Sequence, residues 1–235
     1  MIIEPRIPSV PRYLKLLRGK NTLLRDLQYE AIDGRILCGR ILDIGGGQMF
    51  DYYRLLRING TLKSINAGPE TQPTYIGDLN GALPLADAIY DAVISLNTFE
   101  HLRRDGFTLR EMFRVLKPGG QFLIIVPFLH GVHGRYGDFH RHTAHWWDDF
   151  FLRHGATPGS LKVEPLVWDK WSTAGSLVHG LRTRLSKTIV LLLGLWWARH
   201  RRQDYLKKTS NYALSYLIEG SKSQADFQHL LSNRS

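Results

Sequence analysis

A short apolar segment that runs directly into three glycines is the feature that most constrains the fold of this chain. Residues 40–44 have the composition of a buried strand, and the glycines at 45–47 follow without a break. Residues 49–58 then have the character of a helix, so the region predicts a strand, a glycine turn and a helix. In an open α/β sheet, ligands bind outside the carboxyl ends of the strands. The glycine turn is therefore the first candidate binding site.

Further apolar segments alternate with helical ones along the chain. Strands are predicted at residues 61–66, 74–77, 91–96, 121–127, 160–168 and 212–220. Amphipathic helices are predicted at 104–116, where Lys117-Pro118-Gly119-Gly120 marks the end, and at 143–154. Strands separated by helices are typical of a parallel, doubly wound α/β sheet.

The chain divides into four parts by composition. Residues 1–33 predict an extended, proline-broken arm and then one helix from Tyr13 to about Ile32. Residues 34–168 and 212–222 carry the predicted sheet. Residues 169–211 form a basic, apolar helical insertion before the last strand, and 223–235 form a loose tail.

Length, charge and cysteine content narrow the class of protein. The 235 residues suffice for one large domain, and the net charge of +10 favours an anionic partner. The single cysteine, Cys38, excludes an intramolecular disulfide and a cysteine-built zinc site. The first twenty residues contain Glu4, three prolines and no apolar run, so no signal peptide is predicted. We therefore expect a cytoplasmic protein.

Four motifs in order give the chain a family resemblance. They are ILDIGGG at 41–47, GDLNGALPLADAIYDAVISLNTFEHL at 77–102, EMFRVLKPGGQFLIIVPF at 111–128 and GDFHRHTAHWWDDFFLRHGA at 137–156. Together they resemble the class I S-adenosylmethionine-dependent methyltransferases that act on small molecules. The resemblance implies a seven-stranded, mostly parallel Rossmann-like sheet with S-adenosylmethionine as the cofactor. It implies methyl transfer as the activity and leaves the acceptor open.

The resemblance also implies a cofactor site at the strand ends. Its residues would be Asp43, Gly45, Gly47, Asn66, Asp78, Leu79 and Asn97. Gly45 and Gly47 would face the methionine part, and Asp43 would orient their turn or meet the amino group. Asp78, with Leu79 beside it, would receive the adenine edge, and Asn97 would line the site.

Asn66 departs from the family pattern. Relatives commonly place an acidic residue at the end of the second strand, where it binds both ribose hydroxyls, and this chain has Asn66 there. An amide can accept from one hydroxyl and donate to the other, but without the strength that charge adds. Glu70 is an alternative ribose ligand, although it is expected on the following turn.

Histidines cluster after the fifth predicted strand. Five of the ten fall at His130, His133, His140, His142 and His145. In the resembled family this segment flanks the acceptor, and a histidine can remove the proton of an acceptor hydroxyl. His140 is the first choice as the base, and His142 and His101 are the next candidates.

The same loop allows two other interpretations. His130, His133 and Asp138 could bind a metal ion, but nothing in the sequence supplies a further ligand, so no metal is predicted. Arg141 and Asp138 could instead form an ion pair that pins the loop. Many of these histidines could also be structural.

The basic insertion has two competing interpretations. Residues 182–208 carry eight basic residues and one acid, which gives +7 of the total charge of +10. The apolar run at 189–198 is too short to span a bilayer. Residues 187–202, with their tryptophans and arginines, suit a helix lying on an anionic membrane surface. The alternative is a lid over the active site or a homodimer contact. Nucleic acid is not favoured, because the segment between the basic clusters is aliphatic.

These observations favour an S-adenosylmethionine-dependent methyltransferase acting on a small or glycan-like acceptor, at oxygen before nitrogen or carbon. Two alternatives remain. A non-catalytic protein of the same fold could bind a partner through the insertion, and Asn66 is the feature that favours it. An RNA-modifying methyltransferase would need a basic stripe beside the site.

Overall fold

One seven-stranded sheet forms the centre of the molecule. The structure is a computed structural model that describes residues 1–134, 137–179, 181 and 183–224. The strands are β1 (Ile36–Ile44), β2 (Arg57–Asn66), β3 (Tyr75–Ile76), β4 (Tyr90–Leu96), β5 (Leu116–Pro127), β6 (Lys162–Leu166) and β7 (Ser215–Ser221). Their order is β3-β2-β1-β4-β5-β7-β6. The first five run parallel, and β7 pairs antiparallel with β5 and β6. The predicted fold is confirmed.

Seven helices cover the sheet within these residues. They are α1 (Val10–Arg18), α2 (Leu23–Ile32), α3 (Asp105–Val115), α4 (Ala144–Arg153), α5 (Lys170–His179), α6 (Arg184–His200) and α7 (Arg202–Thr209). Threonine hydroxyls cap three of them, because Thr22, Thr143 and Thr183 accept from backbone N–H groups in the first turns of α2, α4 and α6.

The central strands are buried on both faces. In β1, Leu42 points towards the core that contains α3 and α4, and its neighbour Ile41 points towards the core that contains α1, α2 and α6. Successive side chains of a strand point to opposite faces, so a strand covered on both sides needs a continuous apolar run. This explains why 91–96 and 121–127 could be recognised as strands.

The N-terminal helix prediction is wrong in one respect. The single helix expected from Tyr13 to Ile32 is two helices, α1 and α2, separated at residues 19–22. Thr22 starts α2 as its cap, and a Cβ at Gly19 would lie 2.2 Å from Asp26 Oδ2. The close approach of Asp26 therefore requires glycine at the break.

The helix predicted at 49–58 is also wrong. Only a 3-10 turn, Asp51–Leu55, forms there, and residues from Arg57 onward already belong to β2. Ile36 of β1 aligns with Arg57, so the register of the β1–β2 pair takes this segment into the sheet. Strand pairing therefore determines the structure of this segment, in spite of its local helical pattern.

The insertion forms α5, α6 and α7, and β7 follows it. Helix α6 packs against α5, α1 and α7. Residues 225–235 of the predicted tail, and Arg182 in the insertion, lie outside the described residues.

Candidate functional site

A cleft of about 440 Å³ opens at the carboxyl ends of β1, β2 and β4. Of the seven predicted cofactor residues, four line it: Gly45, Asn66, Leu79 and Asn97. His101, a predicted candidate base, also lines it. The other three do not line it. Asp43 and Gly47 lie within two residues of Gly45 in the sequence, and Asp78 precedes Leu79.

The glycine turn is shaped by the protein itself. Gly45 has φ +85°, and a Cβ there would lie 2.0 Å from Thr98 Oγ1. A Cβ at Gly47 would lie 2.2 Å from the Thr71 carbonyl oxygen. Gly45 therefore requires glycine for its backbone conformation and close packing, and Gly47 for close packing alone, before any ligand is considered.

Asp43 lies beneath this turn. It is fully buried at the end of β1, and the hydroxyls of Tyr52 and Tyr53 both donate to its Oδ2, the latter at 2.7 Å. Its Oδ1 has no hydrogen-bond partner among the described residues. Burial raises the pKa of Asp43 to about 7. The carboxyl group therefore anchors the turn that follows β1 and keeps one oxygen unpaired.

The Asn66 amide is occupied by the turns around it. Its Nδ2 donates to the Gly45 carbonyl at 2.9 Å and to Thr71 Oγ1 at 3.1 Å, and its Oδ1 accepts from the Ala67 backbone at 2.8 Å. Asn66 therefore ties the glycine turn to the 3-10 turn Pro69–Thr71. Glu70 lies on that turn, as expected, and its exposed side chain lines the cleft.

In the segment after β3, the residue that lines the cleft is Asn80 and not the predicted Asp78. Asp78 is exposed, and its Oδ1 accepts from the Asn80 backbone at 2.9 Å. Leu79 is buried in the wall, and Asn80, which sequence reasoning missed, lines the cleft next to it. The turn at Asp78 is what directs Asn80 inward.

Asn97 is held by a partner that sequence reasoning also missed. It has φ +52°, and its amide exchanges two hydrogen bonds with Gln28, at 2.7 and 3.1 Å. Gln28 is buried on α2 and donates to Ser215 Oγ of β7 at 3.1 Å. No local motif marks Gln28, because its role depends on a contact 69 residues away along the chain.

His140 and His142 meet at Asp105, the first residue of α3. The His142 Nε2 lies 2.5 Å from Asp105 Oδ2, and the His142 ring stacks on Trp146 with 3.5 Å between centroids. The His140 Nε2 lies 3.7 Å from Asp105 Oδ1, is buried and makes no hydrogen bond with the described residues. His142 is thus fixed by two contacts, whereas the His140 Nε2 is left without a hydrogen bond among the described residues.

His101 belongs to a second group. Its Nδ1 donates to the Gly137 carbonyl, and its Nε2 lies 3.7 Å from Glu100 Oε1. Burial raises the pKa of Glu100 to about 7. The predicted ion pair between Arg141 and Asp138 is formed through both carboxylate oxygens. That pair, with the His133 backbone N–H that donates to Asp138 Oδ2 at 2.9 Å, fixes the conformation within the loop.

Two curated relatives match parts of the chain. A protein from Mycolicibacterium smegmatis named "probable S-adenosylmethionine-dependent methyltransferase" is 47% identical over 45 residues, which cover 19% of this chain and 18% of that protein. An uncharacterized methyltransferase from Mycobacteroides abscessus is 32% identical over 115 residues, 42% of this chain and 43% of its own length. The chain thus spans less than half the length of each relative.

Solved structures share the fold. A methyltransferase chain from its complex with the Haloferax volcanii Trm112 methyltransferase activator has a TM-score of 0.55 and 18% identity, covering 86% of this chain and 90% of its own. An S-adenosylmethionine-dependent methyltransferase from Thermotoga maritima has a TM-score of 0.51 and 15% identity, covering 91% and 94%. At these identities, the likeness concerns the fold.

The sheet order and the glycine turn after β1 define a methyltransferase fold, and residues 42–124 match the family model described as a methyltransferase domain. Residues 42–124 therefore form a methyltransferase domain of the class I S-adenosylmethionine-dependent type, as the motifs predicted. S-adenosylmethionine is the cofactor of this family.

The residues in the cleft fit such a cofactor. The volume lies within the range of about 300–1,000 Å³ usual for small-molecule sites. Leu79 and Phe139 supply apolar surface for a base, and Glu70 supplies a carboxylate. Asn80 and Asn97 also line the cleft, with their amides held by Asp78 and Gln28. An adenosine needs this combination of apolar walls and few polar groups.

Proposed function

We propose that the chain transfers a methyl group from S-adenosylmethionine to an oxygen of a small or glycan-like acceptor. The observation that carries the proposal is the strand-end cleft with a histidine-bearing loop close to it, in which His140 keeps a buried, unpaired nitrogen near Asp105. The cofactor supplies an electrophilic methyl group, so the protein needs to orient the two reactants and to remove the acceptor proton.

Glu70, rather than Asn66, is proposed to bind the ribose hydroxyls. The Asn66 amide already has three partners in the surrounding turns, whereas the Glu70 carboxylate lines the cleft. A carboxylate can accept from two hydroxyls at once with charge-assisted strength. Leu79 and Asn80 would contact the adenine, and the turn above Asp43 would contact the methionine part.

His140 is proposed as the general base. Its Nε2 can accept the acceptor proton, and Asp105 Oδ1 at 3.7 Å would stabilise the imidazolium that forms. His142 is a weaker candidate because its Nε2 is already paired with the same carboxylate. His101 remains a candidate by its position in the cleft lining.

Calorimetry and a transfer screen test the proposal. The full chain should bind S-adenosylmethionine and S-adenosylhomocysteine, and labelled methyl should reach an acceptor among sugars, phenols, amines and RNA. The His140→Ala variant should lower turnover by about 10²–10⁴-fold while cofactor binding persists. His145→Ala, an exposed histidine of the same segment, is the control. Cofactor binding without transfer to any class would favour the non-catalytic alternative, and transfer to RNA alone would favour the RNA-modifying one.

We further propose that α6 rests on an anionic membrane surface. Its outer face exposes Leu185, Ile189, Leu192 and Trp196 by 72%, 54%, 46% and 58%. These positions follow one stripe of a helix. Across residues 1–134, 137–179, 181 and 183–224, the search for a helix long and apolar enough to cross a bilayer found none. A helix lying in the headgroup region fits both observations.

Two residues of α6 correct the sequence-based picture of this surface. Lys187, counted among its cations, is fully buried in an ion pair with Asp26. Trp197 is buried against Tyr205, so only Trp196 of the tryptophan pair faces outward. The remaining described cations flank the stripe in exposed positions: Arg184, Arg199, Arg201, Arg202 and Lys208. No residue of α6 lines the cleft, so the lid alternative gains no support.

Co-sedimentation with vesicles tests this second proposal. Each basic residue near an anionic surface contributes about 1 kcal/mol, so anionic vesicles should retain the chain at low salt and release it at high salt. Trp196→Ser should weaken retention, and Ile36→Ser, an equally exposed apolar residue on β1, should not. A chain that stays in the supernatant at low salt contradicts membrane binding. Loss of a dimer in Trp196→Ser would assign the face to self-association.

A further inference from the structure

Three potential metal ligands converge beside the cleft. The donor atoms of Glu100, His101 and His133 all lie within 4.8 Å of one another. Glu100 and His101 follow β4, whereas His133 comes from the loop after β5, so the parallel pairing of β4 with β5, and not local sequence, brings them together. From the sequence alone, His133 was considered as a metal ligand only together with His130 and Asp138.

The surroundings of the Glu100 carboxylate favour a bound cation within this group of ligands. Its side chain is 1% exposed, and neither carboxylate oxygen has a hydrogen-bond partner among the residues that the structure describes. A buried carboxylate without a hydrogen bond or a close counter-charge is costly. A cation between Glu100 and the two imidazoles would remove that cost.

Both imidazoles are oriented as metal ligands usually are. The His101 Nδ1 donates to the Gly137 carbonyl, and the His133 Nδ1 lies 3.2 Å from Asp138 Oδ2. The contacts with the Gly137 carbonyl for His101, and with Asp138 and the Gly131 carbonyl at 3.2 Å for His133, place the ring protons on Nδ1, and the opposing donor Arg141 Nη2 lies farther from His133 Nδ1, at 3.4 Å. This placement leaves the Nε2 lone pairs directed towards Glu100 Oε1, at 3.7 Å for His101 and 4.0 Å for His133. A metal-binding histidine almost always donates its other ring N–H to a carbonyl or carboxylate in this way.

We propose that Glu100, His101 and His133 bind one divalent transition-metal ion. Two imidazoles and one carboxylate form a ligand set that holds zinc and related ions while leaving coordination positions open. With metal–ligand bonds of about 2.1 Å, tetrahedral donors stand about 3.4 Å apart. The observed separations of 3.7 and 4.0 Å therefore need to close by about 0.3 and 0.6 Å, and the two imidazole nitrogens lie within 4.8 Å of each other.

A second cluster, Asp105 with His140 and His142, meets the same distance criterion. Its carboxylate already accepts from the Gly106 backbone at 2.7 Å and is paired with His142 at 2.5 Å. Because Asp105 is satisfied within the protein, this cluster does not call for an ion, and the site is assigned to Glu100.

The position of the site suggests its use, and this step rests on the proposed methyl transfer. His101 lines the cleft, so open coordination positions would face the acceptor. An acceptor hydroxyl bound to the ion would lose its proton to His140. Its oxygen would then form a bond to the methyl carbon as the carbon–sulfur bond breaks, with the electron pair returning to sulfur. His101 would then be a metal ligand and not the base.

Zinc titration of the chelator-treated full chain tests the site. Calorimetry should find one Zn²⁺ per chain. Glu100→Gln and His133→Ala should each weaken binding by more than about 100-fold, beyond the 10–100-fold loss usual for an outer-shell partner. Asp138→Asn should fall within that smaller range. His145→Ala, an exposed histidine outside the cluster, should bind like wild type and thus control for adventitious binding.

Three results would overturn the proposal. They are no stoichiometric Zn²⁺ binding by the wild-type chain, unchanged binding in Glu100→Gln, or loss of binding in Asp105→Asn with Glu100→Gln unaffected. Circular dichroism of each variant separates loss of a ligand from loss of the fold. S-adenosylmethionine binding, measured separately without metal, distinguishes the two hypotheses, because cofactor binding without Zn²⁺ binding leaves the methyltransferase proposal intact.

Discussion

Asp43 offers a direct test of how the glycine turn is held. Its carboxyl group is fully buried, and burial raises its pKa from 3.8 to about 7. A carboxyl group whose folded pKa exceeds the unfolded value stabilises the fold most at low pH. That contribution is lost as pH rises through the folded pKa. The stability of the wild-type chain should therefore contain a term that falls between about pH 4 and pH 7.

The size of this term follows from the shift. Each pKa unit corresponds to about 1.4 kcal/mol, so a rise from 3.8 to about 7 gives about 4 kcal/mol over the whole window. Asp43→Asn keeps the shape and an acceptor for the tyrosine hydroxyls but cannot ionise. The difference in unfolding free energy between the variant and the wild type should therefore shift by about 4 kcal/mol in the variant's favour from pH 4 to pH 8.

Urea denaturation of both chains at several pH values measures this difference. Glu100 contributes to the pH dependence of both chains equally, so it cancels. Asp51→Asn, on the same connection but with a side chain 73% exposed, is the control and should follow the wild type. A pH-independent difference between Asp43→Asn and the wild type would refute the assignment of a buried Asp43 with a raised pKa.

Three further outcomes are expected. Lys187→Met should destabilise the fold by about 3–5 kcal/mol in urea denaturation, because Asp26 would stay buried without its charged partner, and adding Asp26→Leu should recover most of the loss. Glu70→Gln should weaken S-adenosylmethionine binding by about 1.5–3 kcal/mol in calorimetry, and an unchanged affinity would remove it from the ribose site. Gln28→Ala should cost about 1–3 kcal/mol of stability and lower cofactor affinity, since the Asn97 amide loses both of its hydrogen bonds to Gln28; unaltered cofactor binding would show that Asn97 is positioned without it.

The sheet could be predicted because its signals are local. Strands β1, β4 and β5 each end in a buried, mainly apolar segment, which burial on both faces explains, and the residues after them supply the turn chemistry. The turn after β1 could not be predicted in the same way. Residues 49–58 have a helical pattern, but their last two residues pair with β1 and belong to β2. The register of a strand pair depends on the partner strand and cannot be predicted from the local sequence.

The residues of the candidate site also fall into those that local sequence predicts and those that it does not. Gly45 was predicted from the glycine turn and Asn97 from the family resemblance; both directly follow strands, and both line the cleft. Gln28 was missed because its contact spans a helix and a strand end far apart in sequence. The meeting of Glu100 with His133 was missed for the same reason. Spacing reveals neighbours within one loop, whereas sites built from two loops depend on tertiary structure.

The hydrogen bonds between Gln28 and Asn97 give the first 33 residues a role in the cleft. Judged by composition they are a separate arm and helix, which a protein engineer would remove to obtain a minimal domain. Yet α2 supplies a side chain that holds the end of β4 and, through Ser215, the start of β7. A chain trimmed to begin at β1 would keep every family motif and lose the support of its cleft. Any minimal version of this domain therefore has to start before α2.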